Sequence, residues 1–387
     1  MEIPGNNDDA KGTLFHLQVT SRTGKKVKKK KKKKKIEQNS DLPCDVLDII
    51  SEKLDLDDLL HFSGVCKSWR VSHKIYWTNF LASQAPLLIE IWCDKHSKPS
   101  YSFRSLPDQK VYWWKMDQKC FRPIEYFTYS GGYFIMGKDN NSLMLINPFT
   151  RINKVINTSS TFQVNLGCHA LLAFGKCSQE FVFVVLGGWP KSLHVYQSRN
   201  CGWVTYPTME NVGKVIDFVV LHNIIYVVTD KANIGVLSLN SANIKFLKLK
   251  STPNITPNPG FKPHLALVNC DEQLLLAHFK YFEIKDVYKI DFSTMSYVKL
   301  KTLGDNALFY SWDKSCYSLS NPNKWGYERN YVYVSSLSRV EVSVYSGDDK
   351  KCTPFLTPDE SHSYTHSFTL DWCFRHVRYE VDYSLVE

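Results

Sequence analysis

The sequence predicts an α+β multidomain chain in which a small three-helix unit precedes a mainly antiparallel β-propeller of about six degenerate blades. Three observations support this. Ten lysines are concentrated in residues 25–35, apolar residues recur at helical spacing between residues 41 and 80, and short strand-like segments recur about every 49 residues from residue 87 onward. We therefore divide the chain into a disordered basic tail (1–39), a helical domain (40–82) and a propeller domain (87–387).

The tail is basic because of one tract. The 387-residue chain has 48 Lys and Arg against 38 Asp and Glu, a formal net charge of +10. Ten lysines of the tract account for the whole excess, so the remainder of the chain is neutral. A run of like charges with few apolar neighbours cannot bury enough surface to fold, which predicts disorder. The tract consists of Lys25, Lys26, Lys28, Lys29, Lys30, Lys31, Lys32, Lys33, Lys34 and Lys35.

This lysine tract has three possible roles. It is typical of a nuclear-import signal, it suits salt-dependent binding to phosphates of nucleic acid or an acidic membrane, or it is a solvated tail without a role. No aromatic residues are interleaved, so base stacking is not predicted. We expect import, and with it a nuclear and/or cytoplasmic location without a nucleic-acid partner.

Cysteine usage and hydropathy indicate an intracellular protein. The eleven cysteines form no CxxC pair and no paired Cys/His pattern, which predicts reduced thiols and no metal site. The N-terminal tail holds no hydrophobic signal core. The longest apolar stretch, 215–228, is interrupted by Asp217, so no membrane span is expected.

The helical domain is predicted from three short amphipathic segments. In the first, Pro43 and Asp45 suit the start of a helix. Asp57 is a suitable N-cap for the second, and Gly64 ends it. The apolar residues of the three segments are Val46, Leu47, Ile50, Leu54, Leu59, Leu60, Phe62, Val65 and Trp69.

The propeller is predicted from its repeat. Strand units start at positions 87, 133, 182, 224, 274 and 331, and this spacing is typical of propeller blades. A pair of β-sandwiches is the alternative architecture. A ring is favoured because stacked blades bury the faces of each sheet and closure protects the edges. The segment 367–374 is the expected closing strand.

Two local motifs predict turns in the propeller. Asn147-Pro148 should end one strand, since proline cannot continue a hydrogen-bonded ladder. The pairs Gly131-Gly132 and Gly187-Gly188 should form turns or bulges where blades pack closely.

The helical domain resembles the F-box. The resemblance covers about a tenth of the chain. Leu-Pro at the start, the helical spacing of apolar residues and Val-Cys-Lys-x-Trp-Arg at the end all occur at the positions that the F-box pattern requires. The matching residues are Leu42, Pro43, Val46, Leu47, Ile50, Leu54, Leu59, Leu60, Val65, Cys66, Trp69 and Arg70.

An F-box implies docking on the Skp adaptor of a cullin-RING ubiquitin ligase. By this resemblance Leu42, Pro43 and Leu47 would face the adaptor, whereas Trp69 would mainly pack the helices together. The alternative role of these apolar residues is only to build a helical core.

The propeller domain resembles that of a plant F-box family whose C-terminal domain is known only as a domain of unknown function. The shared motifs are Tyr129–Tyr133, Leu145–Arg151, Leu303–Phe309 and Asp371–Phe374. The paired glycines at 187 and 188 are also similar to those of kelch blades.

Sequence signatures of catalysis are missing. The chain contains no GxGxxG, Walker A, HExxH or GxSxG motif. His362 and His366 lie at helical spacing, but the intervening residues are typical of a polar loop. We expect a non-catalytic protein without cofactor or metal.

The resemblance implies a substrate-recognition subunit of an SCF-type ubiquitin ligase, with an unidentified protein substrate on a face of the propeller. Two alternatives stay open. One is an F-box scaffold that does not act in a ligase, and the other is a ligand-binding or enzymatic propeller with an incidental helical N-terminus.

Overall fold

A computed structural model of the chain arranges its strands in six sheets. It describes residues 42–54, 85–93, 100–114, 125–139, 142–148, 153–158, 169–176, 180–187, 192–207, 211–253, 264–280, 283–312, 314–335, 342–347, 352–356, 367–374 and 379–384, with single positions between 58 and 72 and at 255. The lysine tract, Asp57, Leu59, Leu60, Gly64, His362 and His366 lie outside the described residues.

The described residues up to 207 contain helix α1 and eleven strands, and several positions between 58 and 72 are also helical. The helix and strands are α1 (Cys44–Lys53), β1 (Leu87–Cys93), β2 (Ser100–Arg104), β3 (Val111–Trp114), β4 (Glu125–Ser130), β5 (Tyr133–Asp139), β6 (Ser142–Ile146), β7 (Asn153–Asn157), β8 (His169–Phe174), β9 (Phe181–Leu186), β10 (Leu193–Gln197) and β11 (Gly202–Tyr206).

The described second half adds fifteen strands and a 3-10 helix at Pro322–Trp325. The strands are β12 (Val215–Leu221), β13 (Ile224–Thr229), β14 (Ile234–Ser238), β15 (Asn243–Phe246), β16 (His264–Cys270), β17 (Gln273–Lys280), β18 (Glu283–Asp291), β19 (Ser296–Lys299), β20 (Asn306–Ser311), β21 (Cys316–Ser320), β22 (Tyr331–Ser335), β23 (Val342–Ser346), β24 (Cys352–Leu356), β25 (Ser367–Cys373) and β26 (Tyr379–Glu380).

The six sheets form a six-bladed propeller, which confirms the predicted fold class. From the axis outward the blades are β25-β1-β2-β3, β4-β5-β6-β7, β8-β9-β10-β11, β12-β13-β14-β15, β16-β17-β18-β19 and β21-β20-β22-β23-β24, and β26 adds to the axial side of β8. Innermost strands of successive blades contact one another from β25 through β4, β8, β12 and β16 to β21, and β20 of blade 6 contacts β25. The described strands therefore close into a ring.

Six hydrophobic clusters hold the ring together, one between each pair of neighbouring blades. For example, Leu172 and Phe183 of blade 3 pack with Ile135 and Leu145 of blade 2. Burial of each such side chain contributes about 1.5–3 kcal/mol. Because every sheet has an apolar face toward each neighbour, no blade could bury its own surface alone.

The C-terminal strand closes the ring as predicted. β25 pairs antiparallel with β1, from Leu87 opposite Cys373 to Cys93 opposite Ser367. Blade 1 is thus built from both ends of the propeller domain, which removes the free inner edge that β1 would otherwise expose.

Tight turns join the first two strands of three blades. The residue pairs Gly131-Gly132, His222-Asn223 and Asp271-Glu272 all have positive φ, as type I′ hairpin turns require. At Gly131 a Cβ atom would lie 2.7 Å from the carbonyl oxygen of Leu172 in blade 3. The predicted turn with close blade packing is confirmed here. Gly187 follows β9, and Gly188 lies outside the described residues.

The predicted blade starts need a correction. In blades 1 to 5 they fall at the beginning of the strand next to the innermost one, and in blade 6 at the third strand. The predicted repeat therefore starts one strand late in blades 2 to 5. Among the innermost strands, β8 has no β-branched residue and is weakly marked as a strand, whereas β4 and β12 are rich in strand-forming residues, so their composition does not account for the shift.

Blade 6 departs from the regular pattern. Strand β20 turns inward to β21, and the chain then returns through the 3-10 helix to β22, which pairs parallel with β20. This insertion explains why the last predicted interval, between positions 274 and 331, is the longest. Among the described residues, no helix has the length and hydrophobicity that a membrane span needs.

Candidate functional site

Helix α1 begins where the sequence predicts. Pro43 is its N-cap, and its carbonyl oxygen accepts hydrogen bonds from the N–H groups of Val46 and Leu47, each at 3.1 Å. Asp45 lies in the first turn and Lys53 in the last, where their charges oppose those of the helix dipole. Leu42 and Pro43 are thereby held just before the first turn of the helix.

The predicted adaptor-binding residues differ in exposure. Leu42, Pro43, Val65 and Arg70 are exposed, whereas the others described are partly or fully buried: Val46, Leu47, Ile50, Leu54, Cys66 and Trp69. Trp69 packs on Phe62 with ring centroids 4.4 Å apart, in agreement with the packing role inferred for it.

The outward placement expected for Leu47 is corrected by the structure. Leu47 is 0% exposed and belongs to the same hydrophobic cluster as Phe62 and residues of blades 1 and 2. Its position on the apolar face of α1 turns it toward the protein interior. The contacts of this set with an adaptor stay a prediction.

Two exposed apolar residues of the helical domain escaped the sequence analysis. Ile49 is 61% exposed and Val71 60% exposed. Ile49 lies to one side of the stripe that Val46, Leu47 and Ile50 form on α1. This offset is the available signal, since an apolar residue outside the buried stripe of an amphipathic helix suits a partner. We call Leu42, Ile49, Val65 and Val71 the exposed apolar set.

Asp371 connects three blades from the closing strand. Its Oδ2 accepts hydrogen bonds from the Tyr126 hydroxyl at 2.7 Å and the Tyr129 N–H at 3.3 Å in blade 2. Its Oδ1 accepts one from the Ser311 hydroxyl of blade 6 at 2.5 Å. The carboxylate thus links blade 1, where the ring closes, to both of its neighbouring blades.

A buried lysine completes this junction. Lys314 Nζ lies 3.4 Å from Asp371 Oδ2 and 4.5 Å from the centroid of the Tyr126 ring. Burial lowers the pKa of Lys314, while Asp371 acts in the opposite direction. Burial also raises the pKa of Tyr126, with the charge of Asp371 adding to the effect. Lys314 and Asp371 together have the chemistry of a structural ion pair.

The C-terminal segment enters the centre of the ring, where β26 pairs with the innermost strand of blade 3. Tyr379 packs against the cluster of blades 3 and 4 and against that of blades 6 and 1, which lie on opposite sides of the ring. Burial raises its pKa, with Asp217 as the next cause. The side chain therefore crosses the axis, and the segment that follows lies on the same face as the turn at Asn223, which we call the covered face.

Residues 381–384, which we call the C-terminal strap, are anchored to blades 3 and 4. Asp382 donates its N–H to the Asn223 carbonyl at 3.0 Å, and its carboxylate pairs with Lys176 at 2.5 Å. Tyr383 lies 4.1 Å from the Arg199 guanidinium, and its carbonyl accepts a hydrogen bond from Asn240 at 2.8 Å.

A cavity of about 430 Å³ lies between blades 5 and 6, away from the strap. We call it the blade 5–6 groove. It is lined by the beginnings of β18 and β22, by the connection from β19 to β20, and by Gly347. Sequence analysis missed it because its walls come from segments that are far apart along the chain.

Groups that would hold a metal are not found among the described residues: no three His, Cys, Asp or Glu side chains converge there. Cys201, Cys270 and Cys316 are free thiols. Cys270 is buried, and burial raises its pKa to about 11. Cys66 is half-buried.

Comparison with known families gives two matches. Residues 103–356, about two thirds of the chain, match the KIB1-4 beta-propeller, and residues 39–71 match the F-box domain. No curated protein matches the chain significantly.

Proposed function

The chain belongs to the KIB1-4 beta-propeller family and carries an F-box domain, and from this premise we propose that it is the substrate-receptor subunit of an SCF-type ubiquitin ligase. The observation that carries the proposal is the joining of these two domains in one chain. An F-box generally serves as a receptor module of such ligases, and a propeller supplies a large surface for a substrate. The Skp adaptor and, through it, a cullin-RING ligase are the proposed partners.

The proposed role requires no catalysis by this chain. Holding a substrate beside the charged ubiquitin carrier raises the effective concentration of the target lysine. A rigid receptor suits this task, since the position of the substrate relative to the carrier is then constant. In the cluster shared by α1 and blades 1 and 2, Leu47 and Phe62 pack with Ile89 and Phe134, and such packing supports a stiff connection between the two domains.

The exposed apolar set supports an adaptor interface on the helical domain. Leu42, Ile49, Val65 and Val71 expose between 36% and 61% of their surface. Such side chains gain hydrophobic stabilisation only when a partner covers them. Leu42 and Pro43 precede the helix, so truncating them removes apolar contact area without opening the hydrophobic core.

The test is co-purification of the full chain with the Skp adaptor and a cullin. We expect Leu42→Ala/Pro43→Ala, or Ile49→Asp, to abolish adaptor binding while the thermal unfolding of the propeller is unchanged. Val155→Asp is the matched control, because Val155 is also exposed, at 53%, but lies on the outermost strand of blade 2. Wild-type adaptor affinity in both helical-domain variants would refute the proposed interface. Adaptor binding without the cullin would favour a scaffold outside a ligase.

A further inference from the structure

The chain itself occupies part of the surface that its propeller could offer to a ligand. On the covered face the C-terminal strap lies over blades 3 and 4, and Tyr379 crosses the axis. The blade 5–6 groove includes no residue of the strap in its lining, so a ligand can enter it directly.

The groove combines an apolar interior with a cationic rim. Its apolar lining consists of Ile284, Val287, Leu300, Leu303 and Val332. Lys285, Lys299 and Lys301 stand in the same lining against a single carboxylate, Asp286.

Among the residues that the structure describes, the rim keeps a positive excess after its internal ion pairs are counted. Lys299 pairs with Asp286 at 2.6 Å, and Lys285 pairs with Glu283 at 2.6 Å. Lys301 has no ion-pair partner among the described residues. One lysine is therefore left for a ligand, and the other two sit in exposed pairs, which are weak and can exchange partners.

The wall of the groove is preorganised by Asn330. Its Oδ1 accepts a hydrogen bond from the Leu303 N–H at 2.8 Å, and its carbonyl accepts one from the Gly347 N–H at 2.7 Å. Asn330 itself adopts a left-handed backbone, with φ of 58°. These bonds join the connection before β20 to the outer strands of blade 6. The cavity is therefore already formed, and a ligand would not have to order its walls on binding.

We propose that the blade 5–6 groove is the substrate-docking site and that it binds an extended peptide whose apolar side chain enters the cavity while neighbouring acidic side chains pair with the rim lysines. That the bound peptide belongs to a substrate rests on the proposed receptor function, whereas the peptide-binding site itself is inferred from the groove alone. A cavity of about 430 Å³ falls in the usual size range of ligand sites. An inorganic anion would leave its apolar lining unfilled, and a basic peptide would be repelled by the rim.

The test uses a phage-displayed library of random dodecapeptides selected against the purified full chain. We expect the enriched peptides to combine an aliphatic or aromatic residue with flanking Asp or Glu. A fluorescent copy of one enriched peptide is then titrated. Lys299→Glu/Lys301→Glu should weaken its binding at least about tenfold. Lys110→Glu/Lys214→Glu is the matched control: both lysines are exposed, lie in other parts of the propeller and change the net charge equally.

A charge swap makes the test specific for the groove. A peptide in which acidic residues are replaced by lysine should bind the Lys299→Glu/Lys301→Glu variant better than the wild type. Absence of enrichment, enrichment of peptides without acidic residues, or equal binding by the groove and control variants would overturn the proposal.

Adaptor co-purification, measured on the same proteins, separates the two proposals. Failure of the wild type to bind the adaptor would refute the receptor function and leave the peptide site standing. Normal adaptor binding without any peptide binding would refute only the groove.

Discussion

Asp371 and Asp217 occupy equivalent positions three blades apart, on the innermost strands of blades 1 and 4. Each carboxylate accepts the N–H of the following residue, Trp372 or Phe218. Each also accepts an N–H from the innermost strand of the next blade, at Tyr129 for Asp371 and at Leu267 for Asp217. Buried carboxylates thus connect successive blades at two points on opposite sides of the ring.

The Asp371 junction should dominate closure of the propeller. Asp371→Ala leaves Lys314 buried without its partner, so we expect the free energy of unfolding to fall by about 3–5 kcal/mol. Denaturant unfolding of the full chain measures this. Asp371→Asn/Lys314→Met removes both charges and should recover part of the loss. The largely exposed Asp305 provides the control Asp305→Ala. A loss below about 1 kcal/mol for Asp371→Ala would show that the junction contributes little.

Gly131 should be far less tolerant of a side chain than Gly304. Both have positive φ, at 57° and 63°, but a Cβ at Gly131 meets the Leu172 carbonyl, whereas nothing lies within 4 Å of one at Gly304. We expect Gly304→Ala to cost about 1 kcal/mol from the left-handed backbone, and Gly131→Ala at least about 1 kcal/mol more. Thermal and denaturant unfolding compare the two variants. Equal losses would contradict the close contact between blades 2 and 3.

The anchoring of the C-terminal strap should depend on pH. The hydrogen bond from Lys176 holds the pKa of Asp382 below its ordinary value, and the Ser384 hydroxyl adds to this. A lowered carboxyl pKa means that the contribution is complete above the ordinary pKa of about 3.8 and is lost as the pH falls through the lowered one. Protection factors from amide exchange at Val381 and Asp382 should therefore fall below about pH 4.

The variant Lys176→Ala tests the same anchor at neutral pH. We expect lower protection at Val381 and Asp382 and unchanged protection at Leu276, which is buried in blade 5. Unaltered exchange at the first two amides would show that the pair with Lys176 contributes little to the anchoring of the strap.

The lysine tract is proposed to direct nuclear import. Deleting residues 25–35 should move a fluorescent fusion of the full chain from the nucleus to the cytoplasm, because the deletion removes the whole positive excess. Replacing the tract with an equally long Gly-Ser linker controls for length. The same distribution before and after deletion would remove import as the role of the tract.

Local sequence patterns were sufficient for most strands, the first helix and the ring. The β-branched runs of β9 and β13, Pro43 before α1, and Asn147-Pro148 after β6 each report on their own neighbourhood. The closing strand was also found from the sequence, because the segment 367–374 is strand-like and follows the last predicted blade. The innermost strand β8 lacks the β-branched residues by which strands are recognised. The innermost positions of β4 and β12 depend on the order of strands around the axis, which their local composition does not report.

The sequence by itself determined the domain types, the approximate blade number and the concentration of charge in one tract, because each depends on residues close together in the chain. Only the tertiary structure decided that Leu47 is buried, that Asp371 meets Ser311 and Tyr126, that Tyr379 crosses the axis, and that Lys301 shares a groove with Asn330. These relationships join residues from different blades or domains, or from the two ends of a closed ring. Ring closure brings together side chains that are far apart in the sequence, and no local sequence pattern indicates that they are in contact.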